Sequence, residues 1–582
     1  MLFRSGGKQA DWVGWQAAWR ARNVPLLPGM NRILLQALDD TGHEVDRQFL
    51  HVQSTQRSPR TISGALTNPV AWTPDRGPYR VAGSLIVRSG ARLVIHPGTT
   101  VELGPDAVIQ IEGSGSMEAV GSELQPIRFR RSPGASANGP AVTLTGTGTS
   151  ATRLEFVEWE SSPGSTFTLR AIGSTVILRH AICSSTQGPF LDLDASAFLV
   201  EDCIFPSLMA QPAIRCRALP DWGEGTVRGS TFGSGAPSQP TFECSGSAAS
   251  RPVLQVLDNV FNGSPHACLG LDGVEALIEG NVFLHARQPD AGAGESTAVL
   301  AGAAAPCRLT ITRNVFHDCD HSLVSLNGGR VVFEFNTSVS NRLSALNIER
   351  LPHHPSNATE QHRDLRVAGN IFAGVATNLQ VTPVSASPEG FAPASIEHNL
   401  ASTLQGLTGH GNFTADARLR HGQGVDAPTI RQAFSPRQGS PALAASPLGF
   451  DLGASTPAGA VLAGCPPSGQ SWRTTWDLTV GGAGITGYRW QLNGGPWSEP
   501  MDIAEPLRLS TPPGTLNTLR VIGRNAAGDW QSAASAFSQT WRCDPSAGGI
   551  RLGEIMAAAE LALSCLESGL IRVPRQTATV LR

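Results

Sequence analysis

Lysine is nearly absent from this chain: Lys8 is the single one among 44 Lys and Arg residues. A Walker-type phosphate loop and a protein kinase each hold nucleotide phosphates with a lysine. Lys8 sits in a Gly/Ser-rich start without either frame, which argues against nucleotide-driven phosphoryl transfer. Charge is also scarce, at 16% of residues and a net −3. No basic stripe is present for nucleic acid or an anionic membrane surface. No run of 18 apolar residues occurs, so no membrane-spanning helix is expected. The N-terminus "MLFRSGGKQADW" has no apolar core of signal-peptide length. Both ends are abrupt, and the chain reads as a piece of a longer protein whose export signal is missing from it. The ten cysteines show no CxxC spacing, against a zinc ribbon or thioredoxin-like motif. Only two tyrosines are present, and no long amphipathic helical pattern appears.

What is abundant is punctuation. With 63 Gly and 41 Pro, many short β-branched runs end at Gly, Asn, Asp or Ser, which points to an all-β protein of two to four domains. A phrase also recurs: "LIEGNVFLH" (277–285), "TITRNVFHD" (310–318) and "RVAGNIFAG" (366–374). Aligned along the chain it gives one column, Val157, His180, Cys203, Ser230, Asn259, Asn281, Asn314, Asn336, Asn370 and Asn399. The shortest spacings are 22 and 23 residues, and longer ones read as loop insertions on that unit. Three positions earlier every entry is apolar (Ile177 and Ile278 among them). Two positions later nine of ten are apolar, including Ile182, Phe261 and Phe283.

A fixed period in this range means stacked units. Strands running in one direction need a long return path, which a coil of about 22 residues provides. Like positions then stack at the strand spacing, and the expected architecture is a parallel β-helix. Upstream, Leu85, Val87, Leu93, Ile95, Val101, Ile109 and Ile111 continue the alternation. Because both flanking columns are apolar, the chain must bend at or beside Asn, which tolerates the left-handed conformation. The six asparagines Asn259, Asn281, Asn314, Asn336, Asn370 and Asn399 are accordingly read as an internal structural ladder. "PAIRC" and "PTFEC" match, so Cys216 and Cys244 are expected on neighbouring rungs, with Cys268 a candidate third member.

Residues 79–131, notably "GARLVIHPGTTVEL" and "MEAVGSELQPIRFRR", resemble the entry coils of right-handed parallel β-helix, pectate-lyase-like proteins. "GSPALAASPLGFDLGAS" (439–455) is similar to the sequence closing such folds. Residues 14–52 resemble the second half of a small Ig-like sandwich. "YRWQLNGGPWSEP" and "LRVIGRNAAGDWQ" resemble an Ig- or fibronectin-type repeat, and "IRLGEIMAA" the opening of a lamin-tail domain. This order resembles secreted bacterial multidomain proteins that also carry a CotH-type kinase domain, which is absent here. The resemblance implies a partial Ig-like sandwich over 1–53, a β-helix over 54–455, a β-sandwich over 456–545 and a truncated lamin-tail-like start over 546–582. Cys465 and Cys543 bracket the C-terminal sandwich and form a candidate disulfide, which would fit an oxidising compartment.

Several side chains are candidates for chemistry. A lyase of the resembling type would hold Ca²⁺ on carboxylates beside a basic Arg. Asp192, Asp194 and Asp202 with Arg179 offer that set, against the plainer reading of surface ion pairs. Glycosidase carboxylates need a fixed separation that stacked rungs meet too easily to discriminate. Two His-rich stretches are metal candidates: His317, Asp318 and Asp320 in "FHDCDHS", and His353, His354 and His362 in an inserted loop. Neither has a complete ligand set at a known spacing, and no cofactor is expected beyond Ca²⁺ in the lyase case. Two functional readings follow. One is an exported, non-catalytic scaffold at the cell surface presenting loops for adhesion or glycan binding. The other is a polysaccharide lyase or glycoside hydrolase using the lateral face of the solenoid.

Overall fold

The computed structural model describes the chain except residues 1, 6–7, 10, 14–17, 21–23, 25, 39–43, 55–57, 89, 132–139, 161–167, 185–187, 207–210, 247–253, 289–294, 351–364, 384–393, 421–425, 438, 444, 447–450, 455–459, 464–468, 472–473, 482–484, 513–514, 526–529, 532, 534–535 and 544–582. The chain divides into two compact units, Met1–Ser455 and Thr456–Arg582. His353, His354, His362, Cys465 and the lamin-tail-like stretch all fall outside the described residues.

The first unit is an all-β solenoid of parallel strands, compatible with a parallel β-helix. Each full coil gives one strand to each of three sheets. The first sheet has thirteen strands, from Val70–Trp72 to Ser395–Glu397. In its register Ile278, Ile311, Phe333, Val367 and Ile396 are successive partners. A corner leads to the second sheet, where Val260, Val282, Val315, Thr337, Ile371 and Leu400 align. A further turn leads to the third, where Leu269, Val299, Leu323, Leu346 and Leu379 align.

Alternate residues of each strand enter one continuous core. In the second sheet this produces a ring stack. Phe205, Phe232, Phe261, Phe283 and Phe316 lie with successive centroids 4.6–5.0 Å apart and planes within 8° of parallel. That distance is the parallel strand spacing itself, so the stack is a consequence of register. Tyr79 and Tyr488 are both buried with their hydroxyls bonded: Tyr79 to the Thr73 backbone and Tyr488 to the Glu505 carbonyl.

The asparagines sit at the corner between the first and second sheets, all fully buried. From Asn281 on, each Oδ1 accepts the backbone N–H and the Nδ2–H of the asparagine one coil earlier, while Asn259 Oδ1 accepts the Ser230 N–H. Asn281, for example, accepts from Asn259 N and Nδ2, both at 2.9 Å. The pattern runs from Ser230 to Asn412, one position beyond the repeat column. The left-handed residue is the one before each asparagine: Asp258 (φ 53°), Gly280 (70°), Arg313 (56°), Phe335 (52°), Gly369 (68°) and His398 (54°). The bend therefore lies beside the asparagine, which keeps its own side chain turned into the ladder. At Gly280 a Cβ would meet Asp258 Oδ1 at 2.4 Å and Arg431 Nη1 at 2.6 Å, so glycine leaves room there for both side chains.

One rung differs from the sequence alignment. His180 is the left-handed residue (φ 48°), and Ala181 occupies the column, flanked by buried Leu178 and Cys183. Ile177 and Ile182 fit the apolar pattern equally well, and no asparagine marks this coil. Cys216 and Cys244 pair in register, but the next coil places Leu271 opposite Cys244, not Cys268. Cys268 lies three residues earlier on that strand.

Chain after the last coil turns back. A short helix, Ala427–Ala433, lays Ala427 and Ile430 against the outward valines 260, 282 and 315 of the second sheet. Leu419, Ala442 and Leu452 cover Ile371 and Leu400. Arg431, almost fully buried, donates to Asp258 Oδ1 at 2.6 Å and to the Gly280 carbonyl. At the other end, a four-stranded sheet of Leu2–Ser5, Lys8–Gln9, Met30–Leu38 and Glu44–Gln53 stands beside the first coils. Met30 and Arg32 N–H groups bond the carbonyls of Gly98 and Leu124, and Arg32 and His51 both reach Glu158.

The second unit contains a three-stranded and a five-stranded sheet. Leu478, Val480 and Leu507 from one and Tyr488, Leu519, Val521 and Trp541 from the other form a shared core. Cys543 is buried at the end of its strand, while its proposed partner Cys465 lies outside the described residues.

Candidate functional site

The carboxylates around 192–202 fall on separate surfaces. Asp192 and Asp194 lie on the third sheet, whereas Arg179 ends a strand of the first and Asp202 holds the corner that follows it. Asp192 faces Arg217 at 2.9 Å and Arg170 at 3.8 Å. Arg179 lies between Glu201 (2.7 Å) and Glu155 (3.4 Å), and Arg228 extends the same row from Glu201. Acid and base thus alternate from coil to coil, as expected when like positions stack 4.8 Å apart and like charges would repel. Neither a Ca²⁺ cage nor a lyase-type carboxylate–arginine set is assembled from these four residues.

The "FHDCDHS" stretch straddles the turn from second to third sheet, and alternation sends its side chains different ways. His317 points out beneath Phe434, with ring centroids 5.0 Å apart, and burial followed by the His285 charge lowers its pKa. Cys319 points into the core, where burial pushes its thiol up to about 12. His321 is buried between Ser344 Oγ (2.7 Å) and Glu295 (3.0 Å). Asp318 and Asp320 go elsewhere again, so the proposed ligands His317, Asp318 and Asp320 do not converge. Among the described residues no group of three His, Cys, Asp or Glu side chains could hold a metal.

What Asp318 and Asp320 do instead is build a surface. His285 and Asp318 occupy the same position of successive coils, each in the left-handed conformation that turns the chain (φ 53° and 55°). Stacking therefore brings His285 Nδ1 to 2.7 Å from Asp318 Oδ2, and Arg287 Nη1 binds the same carboxylate at 2.8 Å. Asp320 is only 2% exposed and accepts the N–H groups of Gln288 (3.0 Å) and Ser296 (3.1 Å). Arg342 covers it, with Nε 3.3 Å from Oδ1, and donates to the Gln288 carbonyl at 3.1 Å. Above these pairs opens a cleft of about 610 Å³, lined by Asn262, Ser264, His285, Arg287, Gln288 and Arg342 among others. This volume is typical of small-ligand sites.

The sequence reading singled out Asp318 and Asp320 but not His285, Arg287 or Arg342. These arrive from neighbouring coils, and only the coil-to-coil register brings them together. The one available signal was the polar run "HARQ" directly after Leu284, at the position where the next coil reads "DCDH". No family model, curated protein or solved structure matches this chain.

Proposed function

We propose that this protein is a non-catalytic, extracellular or cell-surface scaffold of the pectate-lyase-like parallel β-helix type, which binds glycans in the cleft at His285, Arg287 and Arg342. The observation that supports this reading is the manner in which the cleft's charges are held. Arg287 and Arg342 are fixed from below by Asp318 and by the buried Asp320, so the donors facing solvent are preorganised on a rigid framework. A saccharide needs such a surface: shallow, polar, open, and rich in fixed donors and acceptors. Of the residues named for lyase chemistry, Asp192 is instead engaged with Arg217 and Arg170, and Arg179 with Glu201 and Glu155.

The test uses the full chain against a panel of neutral and acidic polysaccharides, with and without Ca²⁺. Saturable binding with intact polymer recovered supports the scaffold. Release of shortened or unsaturated products would replace it with an enzyme, and binding to no polysaccharide would refute the glycan reading.

A further inference from the structure

The cleft is specific about the chemistry of what it holds. Both guanidiniums use only part of their donor capacity. Arg287 spends Nη1 on Asp318, and Arg342 spends Nη1 on the Gln288 carbonyl while its Nε lies 3.3 Å from Asp320 Oδ1. Their other N–H groups have no protein partner among the described residues, and both side chains are close to half exposed at 45%. A guanidinium clamped along one edge presents its remaining donors as a planar fork, the geometry that binds an oxyanion through two parallel bonds.

His285 adds the complementary function. Its Nδ1 lies 2.7 Å from Asp318 Oδ2, which leaves Nε2 as the ring's second hydrogen-bonding atom. A ring nitrogen beside two cationic forks suits a ligand whose anionic group lies next to a hydroxyl. Asn262 supplies a further amide on the same wall. The buried Asp320 explains why the forks stay in place. A carboxylate that is 2% exposed must keep its partners: the Gln288 and Ser296 amides bond Oδ2, and Arg342 Nε lies 3.3 Å from Oδ1.

We infer that the cleft is an oxyanion-selective saccharide site, in which Arg287 and Arg342 take the anionic group and His285 Nε2 hydrogen-bonds a neighbouring hydroxyl. The inference rests on the glycan-binding reading above and goes further by naming the ligand class. The anionic group could be carboxylate, sulfate or phosphate, and all three share this recognition chemistry. Asp318 and Asp320 are positioning residues that do not touch the ligand.

The experiment is calorimetric titration of the full chain with matched oligosaccharides: a uronate-containing oligomer, its carboxyl-reduced neutral counterpart, and sulfated and phosphorylated forms of the neutral oligomer. At least one anionic form should bind tenfold or more tightly than the neutral counterpart, and its identity names the group. Arg287→Gln with Arg342→Gln should remove that preference, whereas Arg170→Gln on the third sheet should leave it intact. Asp318→Asn should weaken the anionic ligand without creating affinity for the neutral one. The matched-ligand comparison needs no variant, so misfolding of a variant leaves it decisive. Equal affinity for neutral and anionic forms would overturn the inference while leaving the glycan scaffold standing. Binding of none of the oligomers would overturn both. A preference unchanged in the double arginine variant would also overturn it, by locating the anion elsewhere.

Discussion

Asn281→Ala tests the reading of the asparagine column most directly. The wild-type side chain takes part in five hydrogen bonds. Its Oδ1 accepts from Asn259 N and Nδ2, both at 2.9 Å. Its Nδ2 donates to the carbonyls of Val256 (2.7 Å) and Glu279 (3.1 Å) and to Asn314 Oδ1 (3.0 Å). Truncation leaves Asn259 N–H, in a fully buried corner, without an acceptor. Asn259 Nδ2 keeps Val227, and Asn314 Oδ1 keeps the Asn281 N–H. One orphaned buried donor costs about 1–3 kcal/mol, and lost secondary bonds with a small void add to it. The expected destabilisation is about 3 kcal/mol. Urea denaturation should register it, and hydrogen exchange should localise it: the Asn259 amide should exchange roughly a hundredfold faster, since about 1.4 kcal/mol corresponds to tenfold. Asn281→Ser should cost about half as much. Serine already serves in this column at Ser230, where Oγ accepts the Cys203 N–H at 3.1 Å. A loss under 0.5 kcal/mol with unchanged exchange at Asn259 would refute the ladder as a stabilising device.

Further expectations follow from the same geometry. Phe261→Ala removes a ring stacked 4.6 Å from Phe232 and 5.0 Å from Phe283, and should cost about 3–5 kcal/mol by chemical denaturation. Gly280→Ala should expel Arg431, because the added methyl meets both Asp258 Oδ1 and Arg431 Nη1 within 2.6 Å. Limited proteolysis would then cut the 413–454 return segment faster than in wild type. Burial raises the Cys203 thiol from the ordinary 9.0 to about 12, so the folded state keeps a proton that the unfolded chain releases. The resulting stability is complete below pH 9 and is lost as pH rises toward 12. Urea midpoints measured from pH 8 to 11 should therefore fall more steeply in wild type than in Cys203→Ala.

Much of the solenoid was legible because its rules are local. Alternation within a strand decides which side chains enter the core, and a 22-residue return fixes which positions stack. Hence Ile278, Asn281 and Phe283 could be assigned inward places from sequence alone. Where the marker residue is missing, local rules become degenerate: the apolar pattern fits His180 in the column as well as Ala181, and the structure places Ala181 there. Cys268 was likewise matched by its neighbours and not by its coil. The site was less legible still. Asp318 and Asp320 stood out as acidic residues near histidines, a pattern that suggests a metal, yet their partners are arginines 31 and 22 positions away in the chain.

Periodicity by itself thus determined the all-β class, the coil length and the inward columns, since each depends on contacts between like positions one turn apart. Tertiary structure alone decided three things: the left-handed residue before each asparagine, the return of Leu419, Ala427, Ile430, Ala442 and Leu452 over the second sheet, and the assembly of the cleft. The first depends on which side chain must face the ladder. The second depends on an apolar outer face at Val260, Val282 and Val315 that alternation cannot distinguish from a core strand. The third depends on charge pairing between coils, which no single coil contains.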